Sequence, residues 1–443
     1  MSNSDIRQTL AKLDVTPSRK LGQNFLSDAG TARRIVDLLD IGPEDTVVEI
    51  GPGLGALTDH IVGHPKKLVL VEKDRRLAAA LADAHKADPS IEVHHGDATE
   101  LDTRGFFPAQ PVKCIGNLPY SSGTAITTRL AQNPSPMSLG VFMLQKEVAQ
   151  RMAATPGTKA YGTLSLAVQS RWTVTPSHPV PPQAFYPAPQ VDSAVITLTP
   201  RPRDEFPAFD ERLFARLVKI GFAQRRKQLK KLLPEFAGLA ATLDLPLTSR
   251  AEELTLSKWI DLTNLLDSNR GPEHGQSADE IFDVVDGNDQ PVSTATRGEV
   301  HRDGLRHRAV HIFVFNKNGE LFLQKRSHLK DAHPGKWDSS ASGHLDAGED
   351  YQPCAQRELN EELGIGAGLT EIARVPACDA TGQEFVRVYR ADIKNAKGIT
   401  YPCTEIETGT FFPLETVRQW IQNHPADLAT GFTACFQAWD SNH

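Results

Sequence analysis

The sequence predicts an α/β protein in two parts: a parallel sheet wound by helices and followed by a small helical subdomain, then a smaller mixed α/β domain. Three observations predict it. Short apolar runs alternate with helical patterns at roughly 20-residue spacing through the first part of the chain. From Phe206 to Asp267 the pattern turns helical, with Leu, Phe and Ala at helix spacing among basic residues. A polar stretch, Ser268–Glu280 (SNRGPEHGQSADE), then reads as a linker before a second set of strand and helix signals. The expected divisions are 1–200 for the sheet, 201–267 for the helical subdomain, 268–280 for the linker and 281–443 for the second domain.

The first four strands are expected at Thr46–Ile50, Lys67–Glu72, Ile91–His94 and Val112–Ile115, with a helix at Arg75–Ala87 between the second and third. After the linker, Ala309–Phe315 and Leu321–Lys325 flank a turn at Asn316–Gly319 and suggest a hairpin. A helix follows at Tyr351–Leu363 and a strand at Phe385–Ile393, while Ala377–Thr381 carries no clear pattern.

A chain of 443 residues with 40% hydrophobic and 23% charged residues has room for large cores. No apolar run is long enough for a membrane span, and the N-terminal MSNSDIRQTLAKLDVTPSRK lacks the apolar core of a secretory signal. Five scattered cysteines (114, 354, 378, 403, 435) contain no CxxC pair, which argues against a disulfide framework or a cysteine zinc site. A cytoplasmic monomer is expected.

Charge is uneven. Residues 1–270 carry 32 Lys and Arg against 29 Asp and Glu, and residues 271–443 carry 16 against 26. Arg216, Lys219, Arg225, Arg226, Lys227, Lys230 and Lys231 crowd into sixteen residues. Such a cluster neutralises phosphates of a nucleic acid or forms a solvated helix face.

Glu49-Ile50-Gly51-Pro52-Gly53-Leu54-Gly55 follows the first strand directly. Glycines there let backbone approach a ligand, although a dinucleotide site or a tight turn uses the same pattern. Two acids sharpen the reading. Glu72 ends the second strand, where a carboxylate accepts from both ribose hydroxyls. Asp97 follows the third strand and can accept from an adenine amino group. In an open α/β sheet these strand ends line one crevice.

Asn117-Leu118-Pro119-Tyr120 stands at the end of the fourth strand. An exocyclic adenine amine is a poor nucleophile because its lone pair is delocalised into the ring. The Asn117 side-chain oxygen and a backbone carbonyl near Leu118 can accept from that amine and favour a pyramidal nitrogen. Tyr120 can stack on the base. The contribution is orientation and electrostatics, with no strong general base. The base must be unstacked to enter.

Residues 15–265 resemble the KsgA family of ribosomal RNA adenine dimethyltransferases. The matching stretches are Lys20–Leu26 (KLGQNFL), Glu49–Gly55, Asn117–Tyr120, Phe142–Met152, Tyr161–Ser165, Pro181–Val195 and Phe222–Arg226, in family order. The resemblance implies a Rossmann-like class I methyltransferase domain with a small helical subdomain. It implies S-adenosyl-L-methionine held by Asn24, Leu26, Gly51, Glu72, Asp97 and Asn117. It implies a catalytic set of Asn117, Leu118, Pro119 and Tyr120, with Phe185 stacking on the base's other face. The implied substrate is small-subunit ribosomal RNA in an immature 30S particle, with two adjacent adenosines near its 3′ end each dimethylated at N6. Arg225, Arg226, Lys227, Lys230 and Lys231 are then expected to grip the RNA backbone.

Residues 343–365 read GHLDAGEDYQPCAQRELNEELGI. Glu358, Glu361 and Glu362 lie at i, i+3 and i+4, so a helix projects them together. Such carboxylates repel unless hard cations such as Mg²⁺ or Mn²⁺ join them. A diphosphate on those ions becomes electrophilic and a bound water becomes the nucleophile. Gly343, Glu349, Arg357, Glu358, Glu361, Glu362, Gly364 and Ile365 resemble the Nudix pattern, which implies a Nudix fold over about 300–425 and hydrolysis of a diphosphate-linked small molecule. The expected metal set is Glu358, Glu361 and Glu362, and the catalytic pair is Glu358 and Glu361. Glu405 and Glu407 could add a ligand or be loop carboxylates. Trp337 and Gly343-His344 also resemble isopentenyl diphosphate isomerase, but Ser342 stands where that enzyme carries its catalytic cysteine. Other readings keep the second domain as a non-catalytic or docking module, or make the first half mainly an assembly factor.

Overall fold

The computed structural model describes residues 2–18, 22–271 and 277–441. The chain divides into two compact units, Met1–Glu205 with Arg212–Leu262 and Phe206–Glu211 with Thr263–His443. Within the stretch read as linker, residues 272–276 lie outside the described residues, as do Lys20 and Leu21 of the first motif. Arg270 belongs to the second unit, where Thr404 Oγ1 donates to its carbonyl at 2.6 Å.

The first unit is built on a seven-stranded sheet in the spatial order Ile91–His95, Lys67–Glu72, Thr46–Ile50, Val112–Asn117, Met137–Gln145, Ser193–Pro200, Trp172–Val180. The first five strands are parallel, and Ser193–Pro200 runs antiparallel to both of its neighbours, Met137–Gln145 and Trp172–Val180. Strand order reverses at Thr46–Ile50, so the cleft beyond the C-terminal ends of this strand and its neighbours is the natural ligand position.

Period-two alternation packs both faces. Val48, Ile50, Val69, Val71 and Cys114 join Ile126 and Leu130 of the helix Gly123–Ala131 in one core. Val47, Leu68, Leu70 and Ile115 join Ile35 and Val36 of the helix Ala29–Asp37 in the other. The helix Arg75–His85 begins where the Asp74 carboxylate accepts from the Arg76 and Leu77 N–H groups. The expected 46–50 and 67–72 strands stand as read, while those at 91 and 112 run on to His95 and Asn117.

From residue 211 the chain is helical, with Glu211–Gly221, Phe236–Leu239 and Leu256–Leu266 joined by short 3-10 turns. Buried Trp259 stacks on Phe222 at 6.0 Å between centroids. Gly221 permits this approach, since a Cβ there would lie 2.5 Å from the Trp259 ring.

The second unit carries its own mixed sheet. Trp337–Asp338, Leu321–Arg326, His307–Phe315, Glu384–Asp392 and Leu369–Val375 lie side by side; Ala341–His344 pairs with His307–Phe315, and Ile406–Phe412 with Leu321–Arg326. His307–Phe315 and Glu384–Asp392 are parallel. The helix Tyr351–Leu363 starts at an Asp350 cap and stops at Gly364, whose φ of +64° suits a residue without Cβ. Residues 379–381, unclear from sequence, form a 3-10 turn. Among the described residues no helix is long and apolar enough to cross a membrane.

Candidate active sites in the two units

In the first unit, a cavity of about 150 Å³ opens at the strand ends. Asn24, Leu26, Gly51, Glu72, Asp97 and Asn117 all line it, with Leu118, Pro119 and Tyr120. Sequence-distant residues therefore meet in one place.

Glu72 is buried, with Oε2 accepting from Gly53 N–H at 3.0 Å and Oε1 from Asp74 N–H at 2.8 Å. Burial raises its carboxyl above the usual range, and the two N–H groups oppose that rise. The loop can take this path because Gly51 and Gly53 have φ of +65° and +60°. A Cβ on Gly53 would meet the Phe25 ring at 3.2 Å.

Asp97 differs. Lys73 Nζ donates to its Oδ2 and the Thr99 N–H to its Oδ1 at 2.9 Å. The Lys73 contact, then Thr99, brings its carboxyl down to about 2. Asn117 Nδ2 donates to the Asn24 carbonyl at 2.9 Å, which orients the amide. Tyr120 is half-buried, its hydroxyl 2.6 Å from Ser193 Oγ. Ser193 lies in the Pro181–Val195 stretch, but neither its pairing with Tyr120 nor that of Lys73 with Asp97 could be read from the motifs.

Phe185 is 2% exposed and packs in the core, where its strand pairs with Leu26. It does not line the cavity. Arg225 is tied to its own unit. Its Nε donates to Glu252 Oε2 at 2.6 Å, and its Nη2 to the Thr158 and Tyr161 carbonyls at 3.0 Å each. Arg226, Lys227 and Lys231 are exposed, and Lys230 is half-buried.

In the second unit the helix Tyr351–Leu363 buries Glu358 and Glu362 and leaves Glu361 exposed. Glu362 Oε2 accepts from Gln324 Nε2 at 3.0 Å and from the Ser342 N–H at 3.1 Å. Burial, with the neighbouring Glu362, pushes Glu358 up to about 8, and burial pushes Glu362 up to about 7. Arg357 bridges Glu349 at 2.9 Å, Glu358 at 2.6 Å and Glu361 at 3.3 Å, so it holds the acid cluster together. Gly343 lies directly against Glu358; a Cβ there would stand 2.0 Å from the carboxyl carbon. Glu405 is engaged by Lys330.

Sequence reading missed one constellation here. Among the described residues, the three side chains whose ligating atoms come within 4.8 Å of one another are His301, His307 and His344. His301 and His307 are six residues apart, but His344 joins them only through the fold.

With the geometry in place, the profile of the ribosomal RNA adenine dimethylase family matches residues 16–267. The chain belongs to that family. A second profile, that of the NUDIX domain, matches residues 305–430, so the dimethylase is fused to a C-terminal NUDIX domain. Ribosomal RNA small subunit methyltransferase A of Aromatoleum aromaticum is 40% identical over 250 residues, covering 56% of this chain and 93% of the relative. That of Maridesulfovibrio salexigens is 46% identical over 219 residues, covering 49% and 81%. A dimethyladenosine transferase from Plasmodium falciparum is a structural neighbour with 24% identity and a TM-score of 0.46, covering 54% of this dimethylase chain and 98% of its own.

Proposed function

We propose that the first unit transfers methyl groups from S-adenosyl-L-methionine to N6 of two adjacent adenosines near the 3′ end of small-subunit ribosomal RNA in an immature cytoplasmic 30S particle. The observation that carries this is the convergence of Glu72, Asp97 and the Asn117–Tyr120 turn on one cavity. The cavity suits the methyl donor: Glu72 is a buried acceptor at its wall, and Gly53 keeps the loop close. Glu72 takes the ribose hydroxyls, Asp97 the adenine amine, and Asn24, Leu26 and Gly51 the remainder. When bound, S-adenosylmethionine supplies an electrophilic methyl carbon.

The chain's own residues prepare the nucleophile. Because the Asn117 amide nitrogen is committed to the Asn24 carbonyl, its oxygen is left to accept from the target amine. With the carbonyl near Leu118 this draws the amine out of the ring plane. Pro119 stiffens the turn, and Tyr120, steadied by Ser193, supplies a flat face for the base. Arg226, Lys227, Lys230 and Lys231 hold RNA phosphates, and Arg225 positions that segment. Methyl transfer to immature small subunits by the wild type and by Asn117→Ala tests this reading. A full rate in the variant sinks the site assignment.

We further propose that the NUDIX unit hydrolyses a diphosphate-linked small molecule with Mg²⁺ or Mn²⁺ held by Glu358, Glu361 and Glu362. The donor set fits a hard cation: two buried carboxylates one helical turn apart, with a third beside them. The ion would supply Lewis acidity at the diphosphate. Arg357 keeps Glu358 aimed. Hydrolysis of a nucleoside diphosphate derivative that is unchanged by Glu361→Gln would contradict this.

A further inference from the structure

We infer that Glu49 is the residue by which the first unit tells the methyl donor from its demethylated product: its carboxylate answers the positive charge of the donor's sulfonium, which the product no longer carries. This rests on the reading of the cavity as the S-adenosylmethionine site and adds a specificity-determining residue to it.

The cavity is lined by acids. Glu49, Glu72, Asp74 and Asp97 all line it, and among the described lining residues Lys73 is the one Lys or Arg. Three of the four acids are well engaged by the chain itself. Glu72 accepts from two backbone N–H groups, Asp74 caps the helix Arg75–His85, and Asp97 is held by Lys73 and Thr99. Glu49 is different. It is 1% exposed, the most deeply buried of the four, and its partner is Thr58, whose Oγ1 donates to Oε2 at 2.7 Å. A single residue serves this carboxyl group.

Its neighbours make it ready for a cation. The charged groups that face it are both acids, Glu72 from the neighbouring strand and Asp59 from the short helix Thr58–Ile61. Burial, against the Thr58 bond and with these two acids, pushes Glu49 up to about 8. At neutral pH the group therefore holds its proton.

Its place in the cavity selects the sulfonium. Glu49 lies two residues before Gly51, where an added Cβ would stand 3.9 Å from the Asn117 carbonyl oxygen. Asn117 marks the point where the methyl carbon must arrive, while Glu72 and Asp97 take the ribose and the adenine. The sulfonium and the methionine tail then fall on the Gly51 side, and Glu49 is the acid of that side.

S-adenosylhomocysteine differs from the donor by a neutral thioether in place of the sulfonium. An opposite charge within about 4–6 Å favours the ionised form of a buried carboxyl group. Glu49 therefore gives up its proton to solvent when the donor enters, and the two charges stabilise one another away from water. Beside the thioether Glu49 keeps its proton, and the product is held less firmly. Repeated methylation of neighbouring adenosines needs this exchange of spent product for fresh donor. A Glu49 that merely tied its strand to Thr58 would treat both ligands alike.

The sign of the pH dependence follows. Below about 8 the donor must displace a proton, so its affinity relative to the product rises with pH up to that value and levels above it.

The test is calorimetry on the full chain with S-adenosylmethionine and with S-adenosylhomocysteine, from about pH 6 to about pH 9, in the wild type and Glu49→Gln. The donor's own amine titrates in this range with either protein, so the difference between the proteins isolates Glu49. We expect the donor-to-product affinity ratio to rise about 10-fold or more across the range in the wild type, beyond any rise in the variant. At about pH 8 the variant should lose about 10-fold in donor affinity and little in product affinity. Near neutral pH, titrations in buffers of different ionisation enthalpy count protons. The wild type should release roughly half a proton or more with the donor and far less with the product. This count needs no variant, so it decides even if Glu49→Gln fails to fold. Equal proton counts for the two ligands would overturn the inference and leave the cofactor site in place. So would a ratio with the same pH dependence in folded Glu49→Gln. If neither ligand binds, the S-adenosylmethionine reading falls, and the inference with it.

Discussion

The backbone N–H of Gly53 donates to Glu72 Oε2 at 3.0 Å across the wall of the cavity at the strand ends. The bond ties the glycine loop of one strand to the acid that ends its neighbour. It requires the positive φ of Gly53 and clearance from Phe25. Gly53→Val should strain this turn by roughly 1–3 kcal/mol. S-adenosylmethionine affinity, read by calorimetry, should fall about 10-fold or more. Unaltered affinity would mean that the loop does not shape the site.

Tyr120 combines a ring at the cavity with a hydroxyl bonded to Ser193. Tyr120→Phe keeps the ring and loses one hydrogen bond, so methylation should drop only about 2- to 10-fold. Tyr120→Ala removes the stacking face and should lose roughly 100-fold. Equal losses in both variants would shift the role from the ring to the hydroxyl.

Arg225 and its basic neighbours should separate experimentally. Arg225→Ala removes three internal hydrogen bonds and should cost about 1–3 kcal/mol of stability in denaturant unfolding. Lys227→Ala with Lys231→Ala should leave stability unchanged. It should also flatten the salt dependence of RNA affinity by about two phosphate contacts. If Arg225→Ala leaves stability intact and flattens the salt slope instead, its internal role is wrong.

Glu49 is wholly buried, accepts from Thr58 Oγ1 at 2.7 Å, and is pushed up to about 8 by burial. An acid raised in the folded state favours folding at low pH and loses that contribution as pH rises from its ordinary range through about 8. The wild type should therefore lose on the order of a few kcal/mol between pH 5 and pH 9 relative to Glu49→Gln. Thermal unfolding across that range measures it. Parallel pH profiles for the two proteins would count against a neutral Glu49.

Gly343 leaves no room for a side chain beside Glu358. Gly343→Ala should displace that carboxylate and reduce diphosphate hydrolysis about 100-fold or more, while rRNA methylation stays at the wild-type rate. Full hydrolysis by this variant would remove Glu358 from the site.

What the sequence revealed depended on how local the signal was. The strands at 46–50 and 67–72 are buried on both faces and read directly as apolar runs. Glu358 and Glu362 share a helix face because their spacing is four, which any helix enforces. Asn117 and Glu72 were legible because strand ends in an open sheet share one edge. Which way Phe185 turns its side chain was not legible, because a two-residue strand carries no periodicity to read. The Lys73–Asp97 pair, the internal bonds of Arg225 and the His301–His307–His344 group depend on tertiary approach. Spacing along the chain encodes none of these.

The most direct measurement is to incubate the full protein with labelled S-adenosylmethionine and immature small ribosomal subunits, then map the modified nucleotides by mass spectrometry. The account predicts N6,N6-dimethyladenosine at two neighbouring positions near the 3′ end of the RNA, lost in Asn117→Ala. Label confined to other bases or other positions, or dimethyladenosine formed equally by that variant, would contradict it.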